Sequence, residues 1–392
     1  MRLDTLDILR CPSCRGRLEV ASRRAVTSSG RIREGLLGCS ECHATYPVLG
    51  WVPRMMSEGS LTEVERSLAN ELRGVTASRK PTSPSSAEVV DEESITQQDY
   101  RDRIESAVRS KLLYTEFSPK MREREERDIE YRIEHTDRKD KFVKTAQSYL
   151  MSSPRSVLDV GGGQGGALTA FRQEFSAERS VLLDIDDEWV ELAWLRDPET
   201  EVIRGDATQM PFHEGAFDFL FTQATLEHIP DWKRGVAEMC RVAGEGLLCY
   251  NPNGRFFYDV HVAAPFVTWL PKGPAAHVAH AYHKLRRTGR TMESIRGELQ
   301  VTHYRPRAHV VRELRRLGCE VENAFGEFIR HSVEDPYHLY GGRLMRTFRE
   351  QPWTRKVFTN TMLVMGAEPN VYLYYNSGAT HTETSRAARV NG

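Results

Sequence analysis

The chain has 392 residues and a formal net charge of −1, and 40% of its residues are hydrophobic. This length suggests two or three domains, and the apolar content is enough for a sizeable core. The near-neutral balance argues against a protein that binds polyanions over its whole surface. No apolar run approaches the roughly 20 residues of a membrane helix, and the charged N-terminus lacks the apolar stretch of a signal peptide. We therefore expect a cytoplasmic protein with no membrane partner.

Four of the seven cysteines form two Cys-x-x-Cys pairs near the N-terminus, Cys11 with Cys14 and Cys39 with Cys42, separated by 24 residues. Paired spacing of this kind in a cytosolic chain favours a metal over disulfides. Four thiolates complete a closed tetrahedral shell, so the ion should be a structural Zn²⁺. A unit this short needs the metal to hold it together. We predict a zinc-ribbon domain over residues 1–56.

The same segment carries a family resemblance. The runs LDILRCPSCRGRLEV and GLLGCSECHATYPVLGWVPRM resemble the small zinc-ribbon activator subunit of tRNA and protein methyltransferases, and its relatives fused to bacterial methyltransferases. The resemblance covers residues 5 to 55. In that family the ribbon docks on a catalytic domain and solubilises it, which implies the same arrangement here within one chain.

A connecting region of residues 57–118 follows the ribbon. Residues 57–75 have a helical pattern, and the Pro/Ser-rich stretch 79–94 predicts a flexible linker. The densely charged segment 119–150 has apolar residues at helical spacing. It is either a solvated helix that leans on the next domain or a lid over a ligand. At the other end, we expect residues 368–392 to be a disordered tail.

From Ser156 onward, short β-rich runs alternate with helix-length stretches. Five runs indicate buried parallel strands, namely SVLDV, SVLLDI, VIRGD, FDFLFT and GLLCYN. Residues 319–328 and 359–369 are predicted to form the last two strands. The alternation predicts a doubly wound, mostly parallel, seven-stranded Rossmann-like α/β sheet in a domain spanning 119–367. An aromatic, His-rich and basic stretch, residues 255–303, interrupts it as an inserted cap.

The run LDVGGGQGG at residues 158–166 is a glycine-rich turn after the first strand. It also satisfies the Gly-x-Gly-x-x-Gly pattern of dinucleotide sites, which is an alternative reading. Asp159 precedes the turn, where a carboxylate suits the cationic amino group of a methionine moiety and suits a pyrophosphate poorly. Asp184 ends the second strand, where an acid can hold ribose hydroxyls. Asp206 and Ala207 follow the third, where they can receive an adenine amino group.

Together these residues resemble the class I S-adenosylmethionine-dependent methyltransferases, over residues 155 to 255 and more loosely to 367. The resemblance implies S-adenosyl-L-methionine as the cofactor, with the methionine end at the glycine turn and the sulfonium side at the end of the fourth strand. The implied cofactor-binding residues are Asp159, Gly161, Gly163, Gly165, Asp184, Ile185, Asp206, Ala207 and Gln223. The chain departs from the common pattern at Gln164, and Asp186 is a second candidate acid.

Methyl transfer is an in-line displacement, so an enzyme mainly aligns the nucleophile and, where needed, takes its proton. His228, in the run LEHIP after the fourth strand, is a candidate general base. Packing against the cofactor loop is the alternative role for His228, and Glu227 has the same two possible roles.

The cap carries three histidines at spacings of three, His277, His280 and His283, which could share a helix face and bind a metal. No carboxylate or cysteine nearby completes such a set, which favours a solvated or substrate-facing helix. Residues 271–320 contain eleven Lys/Arg against four acids, a local excess of +7. This excess indicates either a solvated charged surface or a rim that recognises an anion.

Three functions remain in consideration. The first is methylation of a small molecule, anionic or neutral, such as a metabolite, a carbohydrate or a natural-product intermediate. The second is an RNA or protein methyltransferase with its zinc-ribbon activator in cis, although Thr222-Gln-Ala-Thr stands where an Asn-Pro-Pro-Tyr-type motif would lie, and the overall charge is not basic. The third is a non-catalytic cofactor-binding scaffold, which the intact acidic positions disfavour. The pattern favours a small-molecule partner over nucleic acid and leaves the oligomeric state open.

Overall fold

A computed structural model gives the fold of most of the chain. The residues it describes are 1–78, 87–90, 101–103, 106, 140–150, 152–259, 261–332, 351–368 and 370–376. The predicted linker therefore lies outside the described residues except for 87–90, and so do residues 119–139 of the charged segment and the end of the tail.

The N-terminal unit is an antiparallel sheet that follows a single helical turn, α1. Its strands pair in chain order, with Leu18 opposite Cys39 in the first pair. A long helix, α2, packs Leu68 and Leu72 against this sheet. The elements are α1 (Thr5–Ile8), β1 (Leu18–Val26), β2 (Ile32–Cys39), β3 (Thr45–Leu49), β4 (Val52–Met55) and α2 (Glu63–Ser78), followed by the short β5 (Glu88–Val89) beside β1.

The second unit is a mostly parallel sheet with helices on both faces, as predicted. Strands β6 to β10 are parallel to one another, whereas β14 runs antiparallel between β10 and β13. The strands are β6 (Ser156–Val160), β7 (Arg179–Asp184), β8 (Glu201–Gly205), β9 (Phe217–Gln223), β10 (Ala243–Pro252), β13 (Glu320–Asn323) and β14 (Asn370–Asn376). The helices are α3 (Asp140–Gln147), α4 (Gly166–Phe175), α5 (Asp187–Arg196), α6 (Trp232–Val242), α9 (Arg307–Arg316), α10 (Phe325–Ser332) and α11 (Pro352–Met365).

The last strand was misplaced by the sequence pattern. Residues 359–365, predicted as part of a strand, belong to the helix α11, which Gly366 terminates with φ +61°. The strand is β14 instead, so the predicted disordered tail is wrong for residues 370–376. Similarly, β13 is short, and α10 occupies most of the rest of the predicted run 319–328. A short apolar run does not distinguish a helix from a strand by periodicity, which explains the error.

The two units share one sheet. Strand β4 of the ribbon pairs in parallel with β8, with Arg54 opposite Arg204 and Met55 opposite Gly205. In the described residues this gives one twelve-stranded sheet in the order β13-β14-β10-β9-β6-β7-β8-β4-β3-β2-β1-β5, rather than an isolated seven-stranded one. Side chains from both units, such as Leu37 and Ile203, also belong to one hydrophobic core.

The predicted insertion forms a separate layer with its own small core. Val262, Ala279 and Ile295 are fully buried within it. Its elements are the paired strands β11 (Tyr258–Asp259) and β12 (Ala264–Pro265) and the helices α7 (Lys272–Arg286) and α8 (Met292–Val301).

In the charged segment, α3 buries Phe142 in the core beside Phe171, so this part packs on the domain. Among the described residues, no helix has the length and apolar character needed to cross a membrane.

Candidate functional site

The glycine turn between β6 and α4 opens the site. Gly161, Gly163 and Gly165 all have positive φ, at 70°, 54° and 80°, which residues with a side chain rarely adopt. A Cβ at Gly161 would lie 2.2 Å from Cγ2 of Thr225, so only glycine fits there. A Cβ at Gly163 would meet nothing within 4 Å and would project into open space. The turn thus presents bare backbone toward a space that a ligand can occupy.

The acids predicted to hold a cofactor lie at the same edge of the sheet, because β6, β7 and β8 are adjacent and parallel. Asp159 is 1% exposed in β6, next to the turn. Asp184, at the end of β7, accepts hydrogen bonds from the backbone N–H groups of Gly163 at 2.9 Å and Asp186 at 3.0 Å. Burial raises the pKa of the Asp184 carboxyl. Asp206 follows β8 and accepts from the Thr208 N–H at 2.7 Å.

The remaining predicted positions surround this edge. Ile185 is 55% exposed beside Asp184, and Gln223 ends β9 on the other side of β6. Ala207 is half-buried next to Asp206. Asp186 is occupied elsewhere, because its carboxylate caps α5 by accepting from the Trp189 N–H at 3.0 Å. This geometry favours Asp184 over Asp186 as the ribose ligand, a role that stays a prediction.

A second group of polar residues lies just past β9. Glu227, His228 and His261 each offer one donor atom, all within 4.8 Å of one another. The two imidazole rings are 5.3 Å apart, and His261 Nε2 is 3.9 Å from Glu227 Oε1. Glu227 is 1% exposed, and its burial raises the pKa of the carboxyl to about 8. Thr225 donates hydrogen bonds to the carbonyls of Val160 and Gly161 at the glycine turn. It thus links this group to the edge of the sheet that carries the three acids.

The cap completes this group through a hydrogen-bonded chain. His261 Nδ1 lies 2.6 Å from the Tyr304 hydroxyl, which donates to Asp259 Oδ1 at 2.8 Å. Burial raises the pKa of Tyr304, so the hydroxyl stays protonated. Burial lowers the pKa of His261, as does its neighbour His228. The sequence pattern singled out His228 but gave no signal that linked it to His261, since only the fold of the cap brings them together.

The cap histidines on α7 form hydrogen bonds of their own and are not part of this group. His283 is buried and contacts Val262 O at 2.6 Å and Thr288 Oγ1 at 2.8 Å, while His277 Nδ1 contacts Gly273 O at 2.9 Å. Among the described residues, they form no cluster able to hold a metal.

The basic excess of the cap is partly structural. Arg290 donates to His261 O at 2.6 Å, and Arg307 pairs with Glu368 at 2.6 Å. Other basic side chains are exposed, namely Lys284, Arg286, Arg287, Arg296, Arg312 and Arg315. These side chains, with the exposed Lys272 and Arg316, are those that could form the predicted anion-recognising rim.

The four N-terminal cysteines converge, as the knuckle spacing predicts. Cys11 Sγ is 3.6 Å from Cys42 Sγ, and Cys14 Sγ is 3.4 Å from Cys39 Sγ. All four sulfurs lie within 4.8 Å of one another. Sulfurs at about 2.3 Å from a tetrahedral Zn²⁺ are separated by about 3.8 Å, so these residues fit a zinc ion.

Two family models match this chain. Residues 158–250 match a methyltransferase domain, and residues 2–49 match a Trm112p-like protein. Both predicted resemblances are therefore confirmed, each in the segment that carries its motif.

Individual relatives match over shorter parts of their length. The 2-methyl-6-phytyl-1,4-hydroquinone methyltransferase 2 of Oryza sativa subsp. japonica is 30% identical over 169 residues, covering 39% of this chain and 46% of the relative. The ajmaline N-methyltransferase of Rauvolfia serpentina is 34% identical over 99 residues, covering 24% and 34%. The chain thus spans less than half the length of these curated relatives.

Among solved structures, the complex of the Haloferax volcanii Trm112 methyltransferase activator with its candidate methyltransferase aligns with a TM-score of 0.38 and 17% identity. That alignment covers 62% of this chain and 91% of the other. With the two domain matches and the sheet described above, the chain joins an N-terminal Trm112p-like domain to a methyltransferase domain of the Rossmann-like α/β fold.

Proposed function

We propose that this protein transfers a methyl group from S-adenosyl-L-methionine to a small-molecule acceptor held beneath the cap. The observation that carries the proposal is the set of three acids, Asp159, Asp184 and Asp206, at the ends of three adjacent parallel strands around an open glycine turn. Open α/β sheets bind ligands at this edge. The acids suit an ammonium group, a ribose and an adenine amino group in that order.

In this proposal the chain's own residues bind and orient the cofactor. Asp159 attracts the amino group of the methionine moiety, and the exposed Ile185 packs against the flat face of the adenine. Asp184 exchanges its hydrogen bond from the Gly163 N–H for one from a ribose hydroxyl. When bound, S-adenosylmethionine supplies an activated methyl group on a sulfonium. Gln223 at the end of β9 lies on the side where that group would face.

The acceptor would lie between the glycine turn and the cap. The donor atoms of Glu227 and His228, just past β9, and of His261 in the cap lie within 4.8 Å of one another and would border the acceptor. Aromatic side chains of the cap, including Phe256, suit an organic substrate. The two relatives described above are named as methyltransferases of small molecules, a hydroquinone and ajmaline. These names are consistent with this class of acceptor.

Ligand binding tests the cofactor assignment. Wild-type protein should bind S-adenosylmethionine and S-adenosylhomocysteine in calorimetry and should not bind NAD. Asp159→Ala should weaken S-adenosylmethionine binding several-fold to a hundredfold, because a charged hydrogen bond contributes about 1.5–3 kcal/mol. Glu214→Ala, which changes an exposed carboxylate away from this edge, is the matched control and should bind normally. Preferential binding of NAD would overturn the cofactor assignment.

The acceptor class is tested with labelled S-adenosylmethionine. We expect label to enter the small-molecule fraction of an extract of the source organism and not unfractionated tRNA or rRNA. Reversing two exposed rim charges, Arg286→Glu with Arg287→Glu, should raise KM for the labelled acceptor without changing cofactor binding. Label in small molecules that is insensitive to this reversal would contradict the role of the rim.

The Trm112p-like domain specifically favours a second candidate, an RNA or protein methyltransferase whose activator is built into the chain. An RNA enzyme would bind through phosphate contacts, so its affinity would fall steeply with salt. Robust, salt-sensitive methylation of bulk RNA in the same assay would replace the small-molecule proposal with this one.

A further inference from the structure

The carboxylate of Glu227 is buried beside the imidazole of His261. Among the described residues, neither of its oxygens has a hydrogen-bond partner, although the side chain is 1% exposed. The guanidinium of Arg305 acts on it electrostatically but donates to the backbone carbonyls of Leu226 and His303. An isolated buried carboxylate is costly, so this position requires either a proton or a cation.

Both neighbouring histidines leave the same ring nitrogen available. His228 Nδ1 is 3.3 Å from Val301 O, and a carbonyl can only accept, so this nitrogen carries the proton. The Tyr304 hydroxyl donates to Asp259 and therefore accepts from His261 Nδ1. In each ring, Nε2 is left with a free electron pair. Ligating histidines usually have this arrangement, with the second ring nitrogen held by a carbonyl or a carboxylate-linked group.

We propose that Glu227, His228 and His261 bind a first-row divalent cation, of the class of Mn²⁺, Fe²⁺ or Zn²⁺. Two imidazoles and one carboxylate form the donor set of metal centres that keep open positions. The two nitrogen donors select against Mg²⁺ and Ca²⁺, which prefer oxygen ligands. Adjacent donors about 2.1 Å from such an ion are separated by about 3.0–3.4 Å in octahedral or tetrahedral geometry. The 3.9 Å between His261 Nε2 and Glu227 Oε1 would therefore shorten by about 0.5 Å when the ion binds. The Asp259–Tyr304 pair would fix the His261 ring.

Metal binding at this site does not depend on the proposed function; only the role of the metal in methyl transfer rests on it. Three protein donors leave positions for an acceptor oxygen, and a divalent cation lowers the pKa of a hydroxyl bound to it. The hydroxyl proton would pass to solvent, and the oxygen lone pair would form the new C–O bond. The electron pair of the methyl–sulfur bond would stay on sulfur, giving S-adenosylhomocysteine. The acceptor class implied is a molecule with a metal-binding hydroxyl group.

The test is a titration with Mn²⁺ alone of the full-length protein prepared with one zinc per chain, which the four thiolates of the ribbon retain. The electron paramagnetic resonance signal of the free ion measures binding. Mn²⁺ reports on this site because the four thiolates of the ribbon prefer softer ions. We expect one Mn²⁺ per chain, and at least tenfold weaker binding in Glu227→Gln and in His261→Gln. Tyr304→Phe should weaken binding by about tenfold, as changes behind a metal ligand do. His277→Gln, an exposed histidine of the same cap, is the matched control and should bind as wild type.

Absence of Mn²⁺ binding by the wild type, or unchanged binding in both Glu227→Gln and His261→Gln, would overturn the metal site. Calorimetry with S-adenosylhomocysteine on each variant shows whether it is folded, and His261→Gln keeps the test decisive if Glu227→Gln is not. Failure of the wild type to bind S-adenosylmethionine would instead defeat the proposed function and leave the Mn²⁺ result standing.

Discussion

Replacing two zinc ligands, Cys39→Ser with Cys42→Ser, is expected to remove one equivalent of zinc and to destabilise the whole protein. In this assignment the ion would hold both knuckles, and binding of a structural zinc is worth about 10–16 kcal/mol in small domains. The loss of stability should extend to the second, Rossmann-like unit, because the first knuckle contacts that unit. There, Arg15 donates to Met210 O and pairs with Glu238, both at 2.7 Å. Elemental analysis and thermal unfolding followed by circular dichroism measure the two effects.

The matched control for this variant is Cys240→Ser, which changes a thiol in α6, outside the ribbon. Zinc content should not change in the control. Undiminished zinc in the double variant would defeat the assignment of the four cysteines as its ligands. Lost zinc with an unchanged unfolding temperature would contradict the structural coupling between the two units.

A second large effect is expected from Glu65→Ala, which should lower the free energy of unfolding by about 3–5 kcal/mol. Glu65 is fully buried between two arginines. Its carboxylate is 3.4 Å from Arg54 Nε and 2.5 Å from Arg204 Nη1. Arg54 is itself fully buried, and burial lowers its pKa, which Asp187 and Glu65 oppose. Removing the carboxylate would leave buried positive charge that Asp187 and Glu191, both partly exposed, compensate only in part.

Urea denaturation of wild type and variant measures this change. Glu71→Ala on the same helix is the matched control, because Glu71 forms an exposed ion pair with Arg24 at 3.1 Å. Exposed pairs contribute about 0–1 kcal/mol, so the control should unfold almost as the wild type does. Equal losses in the two variants would show that the buried cluster does not stabilise the junction between the units.

The meeting of three acids at one edge of the sheet could be predicted from the sequence because it follows from local patterns. Each of Asp159, Asp184 and Asp206 is adjacent in sequence to the end of a strand with a recognisable apolar pattern. Once those strands are parallel neighbours, their carboxyl ends meet without further information. The four cysteines were predictable for the same reason, since the spacing within each knuckle is local.

What the pattern missed depends on contacts between distant segments. His261 joins His228 only because the cap folds back, and the hydrogen bond from Tyr304 that completes the chain comes from beyond α8. The last strand, β14, was missed because it follows a helix with a similar apolar run. The resemblance to an activator subunit implied docking of the ribbon, but the parallel pairing of Arg54 with Arg204 is a matter of tertiary structure.

That pairing has a consequence for solubility. Without the ribbon, β8 would be the edge of the catalytic sheet, with one row of backbone N–H and C=O groups exposed to water. Such an edge is a template for pairing with other chains, and proteins avoid it by covering the strand. Here β4 covers it, and β8 leads directly into Asp206 at the proposed nucleoside end of the site. Cutting the chain after β4 and separating the pieces would therefore expose β8 as an edge strand able to pair with other chains.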